Sequence, residues 1–288
     1  MMKKWNLVID VARCENCHNC VLATKDEYMD NRFPGYSASH PRHGNEWIRI
    51  DRKVRGAVPL VDSAYLVSLC NHCDDAPCIK AAGGAIRKRE DGIVLIDPEL
   101  AKGKKDLVNA CPYGHIHWNE EETLPQTWPF DAHLLDSGWT EPRCAQACPT
   151  EAIKAFKLSD AEMASKAQSE QLQVLQPELG TKPRVYYKNL HRFNKAFIGG
   201  SVVAPIAGRD ECIEGAKASL KRSTTLVAEA YTDQFGDFKF DNLPLDGASY
   251  TLAIDHPMFG SSELSVTVSE SVYLGEIHLP DGKALRSA

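Results

Sequence analysis

The residues with the clearest chemistry are thiols. Cysteines stand at 14, 17 and 20 in "CENCHNC", at 70, 73 and 78 in "CNHCDDAPC", at 111 in "NACPYG", and at 144 and 148 in "CAQACP". Thiolates are soft ligands that suit iron–sulfur clusters, zinc and copper(I). Three of them on a tight loop, spaced C-x2-C-x2-C, wrap one cubane, and the fourth ligand comes from a distant cysteine that precedes a proline. Here the triads are Cys14, Cys17, Cys20 and, with its second gap widened to four residues, Cys70, Cys73, Cys78, and the lone donors are Cys111-Pro112 and Cys148-Pro149. Two triads and two donors make two complete sets of four. Zinc bound by paired C-x2-C knuckles is the alternative, but the trailing Cys-Pro ends have no role in such a site. His18 and His72 lie inside the loops. Thiolates dominate such clusters, so these histidines are expected beside a cluster rather than on it.

The first run also has a gap. Its fourth cysteine is due at position 24, where Thr24 stands. "CAQACP" is the C-x3-C-P end of a run whose upstream C-x2-C positions hold Thr127 and Phe130. Thr24, Thr127 and Phe130 therefore mark the vacant ligand positions of one lost cluster, and Cys144 is its surviving ligand. One thiolate cannot hold a cubane. The expectation is two [4Fe–4S] clusters, with a third lost.

The chain has 288 residues, 43% of them hydrophobic, and a net charge of −6. That length suits two domains, and the acidic balance argues against nucleic-acid binding. Nine of the ten cysteines fall in the first 148 residues. The N-terminus, "MMKKWNLVID", has no long apolar run and no twin arginine, so no secretory leader is expected. "AFIGGSVVAPIAG", from Ala196, is too short and too broken by Gly and Pro to cross a bilayer. A cytoplasmic protein without membrane insertion is expected, where close-set cysteines bind metal more readily than they form disulfides.

These thiols must be positioned by short elements. "WNLVID" reads as a strand entering the first cysteine run, and "IVLID" as a strand before the polar helical stretch that reaches Cys111. Residues 28–66 read as an insertion of long loops. "SDAEMASKAQSEQLQVL", 159–175, reads as a surface helix capped by Ser159 or Asp160 with Glu162 closing a capping box. In "KPRVYYKNL", 182–190, Lys182, Arg184 and Lys188 read as surface charges or a partner interface. Composition changes near residue 195. The tail alternates as β-strands: "FIGGSVVA", "AKASLKR", "LVAEAYT", "DFKFDNL", "SYTLAID", "ELSVTV" and "VYLGEIHL". The fold class expected is α+β. A ferredoxin-like domain over 1–195 precedes a β-sandwich over 196–288, of transthyretin or Cna-B type. Cys212 is expected as a small core hydrophobe.

The runs "CENCHNC", "CNHCDDAPC", "NACPYG" and "CAQACP", with "GIVLIDPELAKGKK" and "ELGTKPRVYY", resemble the iron–sulfur subunits of molybdopterin oxidoreductases in the dimethyl sulfoxide reductase superfamily. "FPGYSAS", "REDGIVLIDPE", "WNEEE", "AHLLD" and "ELGTKPRVYYKNL" extend the resemblance to the small (beta) subunits of pyrogallol–phloroglucinol transhydroxylase and anaerobic resorcinol hydroxylase. The resemblance implies that the first run pairs with the fourth and the second with the third. Cys14, Cys17, Cys20 and Cys148 would then hold one cluster, and Cys70, Cys73, Cys78 and Cys111 the other. It implies a large catalytic partner carrying molybdenum or tungsten on pyranopterin, acting on phenolic rings in an anaerobe, with a soluble electron acceptor as a candidate further partner. The departure lies at Thr24, Thr127 and Phe130, where the transhydroxylase subunit keeps cysteines and a third cluster.

The chain shows no catalytic triad, no paired carboxylates and no phosphate-binding loop; "GAIRKREDG" lacks the strand–loop–helix context of a nucleotide site. The expectation is an electron-transfer subunit without bond chemistry of its own. A non-redox, zinc-stabilised scaffold is the reading of a different class.

Overall fold

The computed structural model describes residues 2–280. The chain divides into two compact units. One joins the segment ending at Arg52 to Tyr65–Leu190, and the other joins Lys53–Ala64 to the segment that begins at His191. The division therefore falls a few residues before position 195, and a short internal segment goes with the second unit.

The first unit is built on a three-stranded sheet. Lys4–Asp10 is its central strand, antiparallel to Ile153–Leu158 and parallel to Val185–Lys188. "KWNLVID" is buried along nearly its whole length, as a strand covered on both faces must be. Helix Asn19–Tyr28 buries Cys20, Thr24 and Tyr28, every fourth residue and hence one stripe. Two small hairpins follow, Ile86–Lys88 with Val94–Ile96 and His117–Asn119 with Leu124–Gln126. Helix Asp160–Ser169 has the full capping box between Ser159 and Glu162 and buries Met163 alone. It stops short of Leu175, because Gln171 turns into the left-handed region at φ 53°.

The stretch read as long loops is partly ordered. Ile48–Ala57 and Leu60–Leu69 pair as a two-stranded ribbon of ten-residue strands. In its first strand Arg52 interrupts the alternation of Ile48, Ile50 and Val54 with charged neighbours, which obscured its period.

The second unit holds two four-stranded sheets. In one, Ala196–Ile206 lies between Arg209–Cys212 and Asp237–Leu243, with Val272–His278 running parallel to it. The other runs Thr225–Tyr231, Lys217–Arg222, Ala248–His256, Gly260–Val268. Inward residues of both, among them Ile198, Phe238, Phe240, Leu220, Leu252 and Ile254, form one core. All seven tail strands expected from the sequence are present. Arg209–Cys212 is an addition, and it corrects the reading of Cys212. Among the described residues this short strand pairs along one side only and its four residues are exposed, so Cys212 is a surface thiol.

Among the described residues no helix is long and apolar enough to cross a membrane.

Candidate metal centres

The cysteine loops depend on residues that tolerate the left-handed region. Asn16 and His18 take φ of 56° and 61° between the first three cysteines, and His72 takes 44° between Cys70 and Cys73. Asn and His adopt this conformation more readily than bulky residues. Such turns aim successive backbone N–H groups inward, the arrangement that favours an anion.

The two Cys-Pro donors share one local design. Gly114 N–H donates to the Cys111 carbonyl at 3.1 Å, and Glu151 N–H donates to the Cys148 carbonyl at 3.1 Å. In each turn proline supplies the second position, whose φ it presets. Gly114, with φ 70°, passes the chain on so that the His115 N–H donates to Cys111 Sγ at 3.4 Å.

These elements bring the predicted residues together in two pockets. One is lined by Cys14, Cys17, Cys20 and Cys148, with Ile50, Val67 and Ile153 as apolar wall. The other is lined by Cys70, Cys73, Cys78 and Cys111, walled by Ile86, Val94, Ile96 and Ile116. The thiols sense one another. Burial, then the Cys14 thiol, pushes Cys20 up to about 12. Burial, then Cys111, pushes Cys78 up to about 11 and Cys70 higher still. Left alone, such thiols keep their protons at neutral pH; a coordinated cation removes them outright.

Iron–sulfur cubanes fit this donor set. Four thiols converge on each apolar pocket, and in the second the buried Asn71 side chain has no partner for Nδ2 or Oδ1 among the described residues. Among the described residues no three His, Cys, Asp or Glu side chains close around a single ion. Sulfurs set farther apart suit a cluster of several irons better than one zinc, whose thiolates all lie at ~2.3 Å from the metal.

The histidines take supporting places. His18 is exposed at the rim of the first pocket. His72 is buried, and its Nδ1 accepts the Val94 N–H at 3.0 Å. Burial, then the Lys88 charge, holds it neutral down to about pH 3.

Cys144 lines neither pocket. It is fully buried, and burial followed by the Asp131 carboxylate holds its thiol well above the ordinary range. Asp131 accepts from Tyr28 Oη at 2.8 Å, Trp128 Nε1 at 3.1 Å and the Arg143 N–H at 2.7 Å. Phe130 stacks on Trp128 with centroids 4.8 Å apart and meets the His72 edge at 5.2 Å. Thr24 is buried with Oγ1 unpartnered among the described residues, and Thr127 Oγ1 donates to the His115 carbonyl at 2.6 Å.

Sequence reasoning missed a charged group beneath the second loop. Arg184, read as a surface charge, has a side chain 3% exposed. It donates twice to Asp74, at 2.8 and 2.5 Å, and also to Asn6 Oδ1 and Asp160. Lys88 reaches the same carboxylate at 2.8 Å. Neither cation stands at a spacing that marks it in the sequence.

Comparison with known proteins agrees with the thiol chemistry. Residues 61–157 match the model of a 4Fe-4S dicluster domain. The chain is 47% identical to the pyrogallol hydroxytransferase small subunit of Pelobacter acidigallici, over 96% of this chain and all of that one. It is 30% identical to the iron–sulfur subunit of arsenate respiratory reductase from Shewanella sp. (strain ANA-3), over 63% of this chain and 94% of that one. It is 30% identical to a tetrathionate reductase subunit of Salmonella typhimurium, over 72% of this chain and 77% of that one. The chain belongs to the electron-transferring iron–sulfur subunits of the dimethyl sulfoxide reductase superfamily, in the branch of the pyrogallol hydroxytransferase small subunit.

Proposed function

We propose that the chain carries electrons through two [4Fe–4S] clusters, one held by Cys14, Cys17, Cys20 and Cys148, the other by Cys70, Cys73, Cys78 and Cys111. One observation carries this reading: each pocket combines three loop thiols with one Cys-Pro donor from far along the chain. When bound, the clusters supply one-electron redox chemistry. The chain's own residues do the rest. Thiolates anchor, backbone N–H groups face the sulfurs, and the isoleucine and valine walls keep water out, which sets the reduction potential.

The third cluster is lost in this reading, its place taken by the Phe130–Trp128 stack and the Asp131 hydrogen bonds. The partner is a large catalytic subunit with molybdenum or tungsten on pyranopterin, acting on phenolic aromatics in anaerobic metabolism. The full-length relationship to a pyrogallol hydroxytransferase small subunit supports that substrate class. A soluble electron acceptor is the further partner of an enzyme that exports electrons. The runner-up, a subunit of another dimethyl sulfoxide reductase-type enzyme, draws on the weaker 30% relationships. The tail, 196–288, is read as a sandwich domain of transthyretin or Cna-B type, a reading supported by the core its two sheets share among the described residues; it braces the complex or mediates its assembly.

Anaerobic purification, iron analysis and EPR test the ligand sets. The chain should bind about eight irons, four per cubane. Cys148→Ser should remove one EPR signal and about four irons, and Cys111→Ser should remove the other signal. Zinc without iron, or two signals untouched by either change, overturns the reading.

A further inference from the structure

The Cys70–Cys78 loop is fastened on two sides. On one, Val94 N–H donates to His72 Nδ1, and Lys88 Nζ donates to the carbonyls of His72 at 2.8 Å, Cys73 at 2.9 Å and Gly92 at 3.0 Å. On the other, Arg184 N–H donates to the Asn71 carbonyl at 2.9 Å, while the Asp74 and Asp75 N–H groups donate to the carbonyls of Lys182 and Thr181 at 2.9 and 3.0 Å. Asp74 joins the sides by accepting from Lys88 and Arg184.

The charges in this group do not cancel. Lys4, Lys88 and Arg184 face Asp74 and Asp160, three cations against two carboxylates, so one positive charge is left over. Of the three cations, Lys88 is the one whose charged group bonds the backbone of the ligand loop, with its side chain 20% exposed and three of its partners neutral carbonyls. A charge so placed acts through less water than a surface charge and is felt more strongly. Reduction of a cluster adds one negative charge without adding a ligand, so a fixed cation beside it favours the reduced form.

We propose that Lys88 sets the reduction potential of the centre held by Cys70, Cys73, Cys78 and Cys111, its charge favouring the reduced state while its three carbonyl bonds fix the ligand loop. This rests on the two-cluster reading above and goes beyond it, because it assigns a tuning residue that is not a ligand. Lys88 is a positioning residue; it acts through the loop and through space.

The test is an EPR-monitored redox titration of the anaerobically purified complex. The signal that vanishes in Cys111→Ser identifies the centre; if none vanishes, the ligand reading fails before Lys88 is tested. Lys88→Met should make reduction of that centre about tenfold less favourable, ~59 mV lower for one electron. Asp74→Asn should shift it in the opposite direction, and Lys88→Arg should stay within about twofold of the parent. The Cys148-dependent centre should not move. If Lys88→Met fails to retain the cluster, Asp74→Asn and Lys88→Arg decide. An unchanged potential in whichever of Lys88→Met and Asp74→Asn retains the cluster, or shifts of one sign in both, overturns the proposal. A merely structural lysine would lose iron without opposite shifts.

Discussion

Replacing Arg184 with methionine should unfold the first unit more easily, by an amount that follows from its partners. The guanidinium side chain is 3% exposed and donates to Asn6 Oδ1 at 3.1 Å, on a residue with no exposure at all. Leaving that oxygen without a donor costs about 1–3 kcal/mol. Asp74 loses its two-pronged partner but keeps Lys88 at 2.8 Å, and its side chain is 29% exposed. It therefore loses only part of the ~3–5 kcal/mol of a broken buried pair, about 1–2 kcal/mol. Methionine refills much of the alkyl volume. The sum is about 3 kcal/mol, or a fall in Tm of ~6–12 °C for a unit of this size. Thermal denaturation at one fixed scan rate, followed by tryptophan fluorescence, measures it. The pH dependence supplies a second arm. Burial raises the Asp74 carboxyl, but bonds from Arg184 and Lys88 outweigh it and hold the group below the ordinary carboxylate range. A lowered carboxyl contributes stability that is present above its unfolded value, ~4, and is lost as pH falls through the folded one. The gap between parent and variant should therefore narrow below about pH 4. A Tm within about 2 °C of the parent at neutral pH would refute the burial argument and return Arg184 to the surface.

Cys144→Ser should leave the iron content at about eight per chain, because Cys144 lines neither pocket; a loss of about four irons would make it a ligand. Thr24→Cys, Thr127→Cys and Phe130→Cys together should raise the iron content by about four. An unchanged count in a variant with native circular dichroism would sink the lost-cluster reading. Phe130→Ala alone, removing a ring 1% exposed and stacked on Trp128, should cost about 3–4 kcal/mol in urea unfolding. His40 is 2% exposed, and burial lowers it to about 4. The unfolded chain takes up that proton first, so stability should be complete above pH ~6.5, fall by about 2 kcal/mol by pH 5 and level off below the folded value. His40→Gln should remove that part of the pH dependence, and an equal loss of urea-unfolding free energy between pH ~6.5 and 5 in parent and variant would contradict it.

Much of the candidate site was legible because its chemistry is local. C-x2-C spacing, a proline after a lone cysteine, and Asn or His inside the loop each act within a few residues, and the structure shows the turns they make. The tail strands were legible for the same reason. In "DFKFD", Phe238 and Phe240 are buried while Lys239 is exposed, a period of two that needs no partner to be seen. The capping box of Ser159 and Glu162 is likewise local. The ribbon Ile48–Leu69 escaped because Arg52 breaks the alternation of its first strand, where Arg55 is buried and Val54 exposed. Cys212 was misjudged because burial statistics for cysteine do not know which strand lies at a sheet edge.

By itself, then, the chain's order of residues determined which groups can ligate, how each loop turns, and where the strands of the tail run. Only the tertiary structure decided which Cys-Pro turn meets which triad, that Arg184 and Lys88 lie beneath a ligand loop, and that Cys212 faces water. The reason is range. Loop geometry and strand period are set by neighbours in sequence, whereas Cys14 meets Cys148, and Asp74 meets Arg184, only after Lys4–Asp10 has paired with both Ile153–Leu158 and Val185–Lys188.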